Sequence, residues 1–307
     1  MVPRTSKSSK IACAAVLRSH QRSTLSAARR ILHKTSSRRR LRRPLGIRNA
    51  TNGARLEQPP APALLQLPRT LAKPEVGEVD RQPIESAYPE LAHVPTEYIR
   101  KGLMVTGTDM LAAVANVQAR PPASTLPREL EIVVNETVAA HCPTHMLAIY
   151  SNSTAEQKRK VTLFPTHHLV LAAYCNNLTA LSPSSPDATN PTVQLPVVPL
   201  CLPSPETFSI LQSYLYTKRI DVLLAALLPA PPSSLSDTSI PLPDMLKHLI
   251  NHLAATGNVP ALARYAMIIN GVWRNACALG VYDDKLWGAV AVAWEAVVGA
   301  MDMGKKP

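Results

Sequence analysis

The sequence predicts an α+β body with an all-helical C-terminal part and a basic N-terminal tail without structure of its own. Three observations carry this. Short β-branched and aromatic segments (Leu130–Val134, Met146–Tyr150, Val161–Phe164) lie between helical patterns in the middle of the chain. After Pro243 the periodicity is helical throughout, punctuated by Gly257 and Gly280. The charge is divided unevenly: residues 1–55 hold 15 Lys and Arg and no Asp or Glu, while the rest holds 18 basic and 21 acidic side chains. The net charge of +12 is thus a tail of +15 on a body of about −3.

The tail, residues 1–57, carries Arg29, Arg30 and the run Arg38, Arg39, Arg40, Leu41, Arg42, Arg43. Charge of that density repels itself and buries little apolar surface. It reads as a nuclear localisation signal of clustered or bipartite type. The rival reading is a mitochondrial presequence, because Arg-rich, Ser-rich and acid-free also describes that class, and Ile11–Leu17 or Ala27–Leu32 could form an amphipathic turn. Five arginines in six positions are denser than presequences usually are, which favours the nuclear address.

Residues 58–95 read as a proline-rich linker of extended character, with Pro59, Pro60, Pro62, Pro68, Pro74, Pro83 and Pro89 recurring without a period. The body, 96–307, opens with two short helices, Thr96–Lys101 and Asp109–Ala119, the second capped by Thr108 or Asp109 and stopped by Pro121 and Pro122. Leu130–Val134 and Met146–Tyr150 read as strands, with a helix over Glu129–Ala140 as the alternative. A strand Val161–Phe164 breaks at Pro165 and enters a helix that Thr166 is placed to cap. After a polar loop over 182–192, Ser204 is an N-cap and Pro205 the first helical residue, with Phe208, Leu211 and Leu215 on one face.

A further loop spans 229–243. Helices then run from Asp244 to Thr256, from Pro260 to Leu279, and from an Asp283 cap to about Met301. In the last of these Trp287, Val290, Trp294 and Val297 share a face, a core or docking stripe. The apolar run from Val222 is cut by prolines, so no stretch approaches a membrane span.

Five scattered cysteines suit a reducing compartment. No glycine-rich phosphate loop, nucleophile elbow or paired zinc motif is present, so no catalytic residue, cofactor or small-molecule substrate is expected. His141, Cys142, His145, His167 and His168 form the best metal candidate, but it lacks a second short-spaced pair and adjacent histidines diverge. For His167, pinning a strand–helix corner by hydrogen bonds is the better reading. Asp283 and Asp284 are better explained by capping than as paired acids. Tyr214, Tyr216, Trp273, Trp287 and Trp294 are expected in the core. Nucleic acid contact is expected only nonspecifically, through the tail.

The order strand, His turn, helix, strand and capped helix ending in Tyr-Leu-Tyr-Thr resembles the BTB/POZ domain. His167, Val170 and Leu171 match its first helix, and Phe208, Leu211, Tyr214, Leu215, Tyr216 and Thr217 match the later one. Cys175 stands where that family has Ser and Leu178 where it has Phe, and the Asp that opens its first strand is not in place. A small sheet flanked by helices is what this resemblance implies.

From about residue 90 onward the phrases Val94–Gly102, Pro143–Tyr150, the His167 segment and Leu195–Phe208 resemble the clampless family of basidiomycete fungi. That resemblance implies a non-enzymatic regulator of sexual development, required for clamp-cell formation and dikaryon growth. The same resemblance implies action through protein–protein contact with mating-pathway homeodomain or other transcription regulators, with homodimerisation left open. The alternatives are a BTB-type adaptor of a cullin ubiquitin ligase and a mitochondrial matrix protein with a cleaved presequence.

Overall fold

The structure, a computed structural model, describes residues 67–119, 125–152, 160–178, 181–229 and 242–304, all within one compact unit, residues 64–307. Part of the expected linker is ordered on the body. Residues 67–80 are without regular structure, and α1 (Gln82–Ala87) and a 3-10 turn (Pro89–Leu91) follow. Pro83 and Pro89 sit in the first positions of these turns, where a missing N–H breaks no intrahelical bond. Val79 and Ile84 are buried.

The two short helices expected over 96–119 are one, α2 (Thr96–Asn116). Ile99, Leu103, Met110 and Val114 hold a single buried face along it, so the period runs unbroken through Gly102 and Gly107. Thr108 and Asp109 lie mid-helix. At Val117 the chain turns extended into β1 (Gln118–Ala119).

The sheet has the order β1-β2-β5-β3-β4. β2 (Glu129–Val133) confirms the expected strand there, with Leu130 and Ile132 facing inward. The helical alternative holds only for α3 (Glu136–Ala140), whose cap is Asn135, accepting from Val138 N at 2.9 Å. β3 (His145–Tyr150) forms an antiparallel hairpin with β4 (Thr162–Thr166). Here the break expected at Pro165 does not occur: Pro165 pairs with Met146 on the edge strand, where its missing donor costs no ladder bond. The chain then enters α4 (His168–Tyr174).

β5 (Thr192–Cys201) joins the two halves of the sheet. Its first half pairs antiparallel with β2 and its second half parallel with β3. Val197 N donates to Arg128 O and Leu202 N to Tyr150 O, so alternate backbone groups face opposite neighbours. Pro199, in phase with Val197, therefore turns its missing N–H away from β3.

A 3-10 turn (Pro205–Thr207) leads into α5 (Phe208–Thr217), followed by α6 (Ile220–Leu227) and three longer helices. These are α7 (Leu242–Thr256), α8 (Val259–Leu279) and α9 (Asp284–Met303), close to the expected bounds. Gly280 ends α8 at φ 60°, a left-handed position suited to glycine. Asn258 caps its start, accepting from Ala261 N. Contrary to the expectation of no span-length stretch, α9 is long and apolar enough to cross a membrane by length and composition, but 61% of its apolar window is buried in the body.

One core joins the helices to the inner face of β3, with Trp294, Tyr214, Phe208, Leu171 and Leu147 all at 2% exposure or less. Each such side chain withdrawn from water contributes roughly 1.5–3 kcal/mol. A smaller cluster of Leu130, Ile132, Val138, Met146, Val193 and Leu195 fills the other side of the β2–β5–β3 surface.

Candidate functional site

The residues that carried the sequence reading divide into two groups. Arg29, Arg30, Arg38, Arg39, Arg40, Arg42 and Arg43 lie outside the described residues. His167, Val170, Leu171, Phe208, Leu211, Tyr214, Leu215 and Tyr216 are all buried, and Thr217 is half-buried. They build the centre of the body rather than a surface.

His167 pins the corner between β4 and α4. Its Nε2–H donates to His141 O at 3.2 Å, which leaves Nδ1 to accept the Tyr216 hydroxyl at 2.9 Å. That hydroxyl oxygen in turn accepts from His167 N at 2.8 Å. Burial pushes the imidazole down to about 4, against the His141 carbonyl contact that favours the charged form. Tyr216 is pushed up to about 12 by burial.

The cap expected from Thr166 comes from elsewhere. His168 N donates to Thr144 Oγ1 at 2.8 Å, so the turn before β3 caps α4, while His167 occupies the N-cap position without a side-chain bond. Thr144 also meets His145 Nδ1 at 2.9 Å, and His145 Nε2–H donates to Ser182 O. His168 stacks on Tyr88 and edges onto His145, and neither of its ring nitrogens has a partner among the described residues. Among those residues no group of three or more His, Cys, Asp or Glu is placed to hold a metal. The ring nitrogens of His145 and His167 are spent on backbone carbonyls and hydroxyls.

The sequence reading missed a cation–aromatic cluster that draws in four helices. Lys218 ends α5 at φ 52°, with Nζ 3.0 Å from the centre of the Tyr174 ring and 3.3 Å from Asp283 Oδ2. Tyr214 donates to the same carboxylate oxygen at 3.0 Å. Asp283 Oδ1 accepts from Lys285 N, so the cap predicted for α9 is present and also anchors α5. Arg100 of α2 donates to Ala173 O and pairs with Glu97, its guanidinium over the Tyr174 and Tyr282 rings.

Burial lowers Lys218 to about 8 although Asp283 opposes the shift. Burial likewise raises Tyr174 and Cys175 to about 12 each. No short-range sequence spacing signals this cluster, because its members come from residues 97 to 285.

Ser204 and Pro205 occupy the predicted positions, but the Ser204 hydroxyl bonds Glu206 and not a helix N–H. Its backbone is held instead by Asn275 of α8. Asn275 Oδ1 accepts from Ser204 N at 3.0 Å, and Nδ2 donates to Ser204 O and Thr207 Oγ1. Asn275 is fully buried, and α8 can come this close because Gly271 has no Cβ to strike Ser204 and Thr207.

The aromatics expected in the core are there for Tyr214, Tyr216, Trp287 and Trp294, whereas Trp273 is only half-buried. Cys142, Cys175, Cys201 and Cys277 are free thiols. The largest exposed apolar side chains include Tyr98, Met104 and Val105 on α2 and Met267 on α8.

No curated protein and no solved structure matches the chain. Two family models do: the one described as Clampless protein 1 N-terminal domain matches residues 74–203, and the Clampless protein 1 C-terminal domain matches residues 221–307. The matched regions follow one another in one compact unit, and such domains are consistent with a fungal developmental regulator. Over more than two-thirds of its length, from α1 to α9, the chain belongs to the clampless family.

Proposed function

We propose that this protein is a non-enzymatic nuclear regulator of fungal sexual development, acting in clamp-cell formation and dikaryon growth by docking mating-pathway transcription regulators, homeodomain proteins among them. The observation that carries the reading is the pair of clampless matches on a single body. A BTB/POZ-like docking core is part of the proposal. It is supported by the order of the β3–β4 hairpin, α4, the parallel return of β5 beside β3, and α5 closing with Tyr214 to Thr217. The buried polar groups His167, Asn275 and Lys218 hold elements together, which leaves the surface as the part that acts.

The cullin-adaptor alternative calls for docking through the face that contains the helix following Ser204 and its neighbouring helices. In α5 only Ser209 is exposed, so the neighbouring helices would supply most of that face.

The test is fluorescence localisation of the full chain beside a chain lacking residues 1–55, in hyphae induced to mate. Nuclear signal that is lost on truncation, together with capture of a homeodomain protein by the full chain, is the expected result. Mitochondrial signal lost on truncation would overturn the nuclear role.

A further inference from the structure

Residues 67–76 lie along the C-terminal helices as a strap, held in the manner of a bound peptide. Among the described residues, 67–79 form no backbone-to-backbone hydrogen bond with the body. Two indoles grip the strap instead: Trp294 Nε1 donates to Pro68 O and Trp273 Nε1 to Ala72 O, each at 3.0 Å. Leu67, Leu71 and Val76 pack on the core, and Lys73 Nζ lies 2.5 Å from Asp284 Oδ1. Indole N–H groups donating to the carbonyls of a segment without regular structure, apolar side chains packed on the core and a flanking ion pair are elements of peptide recognition.

Beside Leu71 lies a half-open pocket of ≈ 240 Å³, lined by Trp273, Trp287, Gly288 and Val290 together with Lys73 and Asp284. A Cβ placed on Gly288 would meet nothing within 4 Å, so the α9 side of this space is open. The apolar lining beside Leu71 is left facing water, and a larger side chain there would cover it.

We propose that this groove between α8 and α9 is a docking site for an extended partner segment carrying an aromatic residue followed two positions later by Lys or Arg, and that residues 67–76 are its resident intramolecular stand-in. The aromatic ring enters the space that Leu71 leaves empty, and the cation takes the place of Lys73 at Asp284. The strap, tethered beside the groove, competes at a high effective concentration, on the order of millimolar. Displacement therefore requires the added aromatic contact, which makes the site selective. The proposal does not depend on the nuclear role or on the BTB-like core.

Fluorescence anisotropy on the full-length chain tests it, with labelled synthetic peptides of residues 66–76 and the same sequence carrying Leu71→Phe. The Phe peptide should bind the unmodified chain at least tenfold more tightly than the Leu peptide. A chain carrying Leu71→Ala and Lys73→Ala should bind both at least tenfold more tightly than the unmodified chain does. Gly288→Leu fills the cavity from the α9 side and should abolish the difference between the peptides. Gly288 sits inside a helix with open space at its Cβ position, so that variant is expected to fold, which circular dichroism checks. Asp284→Lys should weaken both peptides at least fivefold, with affinity recovered when the peptide carries Lys73→Glu.

Equal affinity for the two peptides on the unmodified chain would overturn the proposal, as would absence of binding to the strap-weakened chain. Concentration-dependent dimerisation of the strap-weakened chain that neither peptide reverses would also overturn it, assigning the groove to a second copy.

Discussion

His168 is 2% exposed, with neither ring nitrogen bonded among the described residues, and burial, with His145 beside it, lowers it to about 4. An unfolded histidine binds its proton near 6.5. Between these two values the unfolded chain holds more protons than the folded one, so stability falls as pH drops from 6.5 to about 4. His167, buried to a similar value, acts in the same direction. Each contributes a loss of roughly 3 kcal/mol across that window. Urea denaturation at pH 7 and pH 5 should show the fall, and His168→Leu should be neutral or stabilising at pH 7 with a shallower acid limb, because among the described residues the ring has no hydrogen bond to lose. Asn275 is the opposite case. Truncation to Ala strands Ser204 N–H in the core, while Ser204 O keeps Thr207 N as a donor, and a loss of about 2 kcal/mol in the same measurement is expected. The histidine corner was legible in sequence because His167 and the strand and helix it joins are adjacent in the chain, although the cap expected from Thr166 is supplied by Thr144. The partners Tyr216 and Thr144 were not, since they arrive from 49 and 24 residues away.

At the scale of the element, α2 shows why two glycines in one helix have different meanings. At Gly107 a Cβ would lie 2.0 Å from Tyr216 O, because α2 crosses α5 backbone to backbone there. At Gly102 it would meet nothing within 4 Å. Gly107→Ala must push the two helices apart, and a loss of more than about 3 kcal/mol is expected, in the upper range for overpacking. Gly102→Ala should gain about 0.5–1 kcal/mol from helix propensity alone. Thermal melts of the two variants should move in opposite directions. From the sequence, Thr108 or Asp109 reads as the cap of a new helix, which is how one helix came to be expected as two. The close crossing that requires Gly107 exists only once α5 is in place. The C-terminal helices were read closely, because Gly257, Gly280 and Asp283 mark their ends within a few residues.

At the scale of the whole molecule, the two family regions, 74–203 and 221–307, are not two folding units. The segment between them holds Ser204 and α5, and α5 is enclosed by α2 and α4 from the first region and by α6 and α8 from the second. Described residues of both regions meet in the larger hydrophobic core. A single cooperative transition, with equal calorimetric and van't Hoff enthalpies, is therefore expected. Residues 67–203 expressed alone should lack near-ultraviolet circular dichroism, since Leu147, Leu171 and Tyr174 would lose the α5, α8 and α9 side of their packing. The sequence by itself determined the α+β class, the confinement of the positive charge to the tail, the strand and helix order from β3 to α5, and the C-terminal helix ends. These follow from local periodicity, capping chemistry and composition, each carried by residues close in the chain. Only the tertiary structure decided that α2 is continuous, that Asp283 anchors Lys218 and Tyr214 as well as capping α9, and that the proline-bearing strap is seated between two indoles. Those features rest on contacts between residues 65 to 226 positions apart, and their energies exist only when the fold brings the partners together.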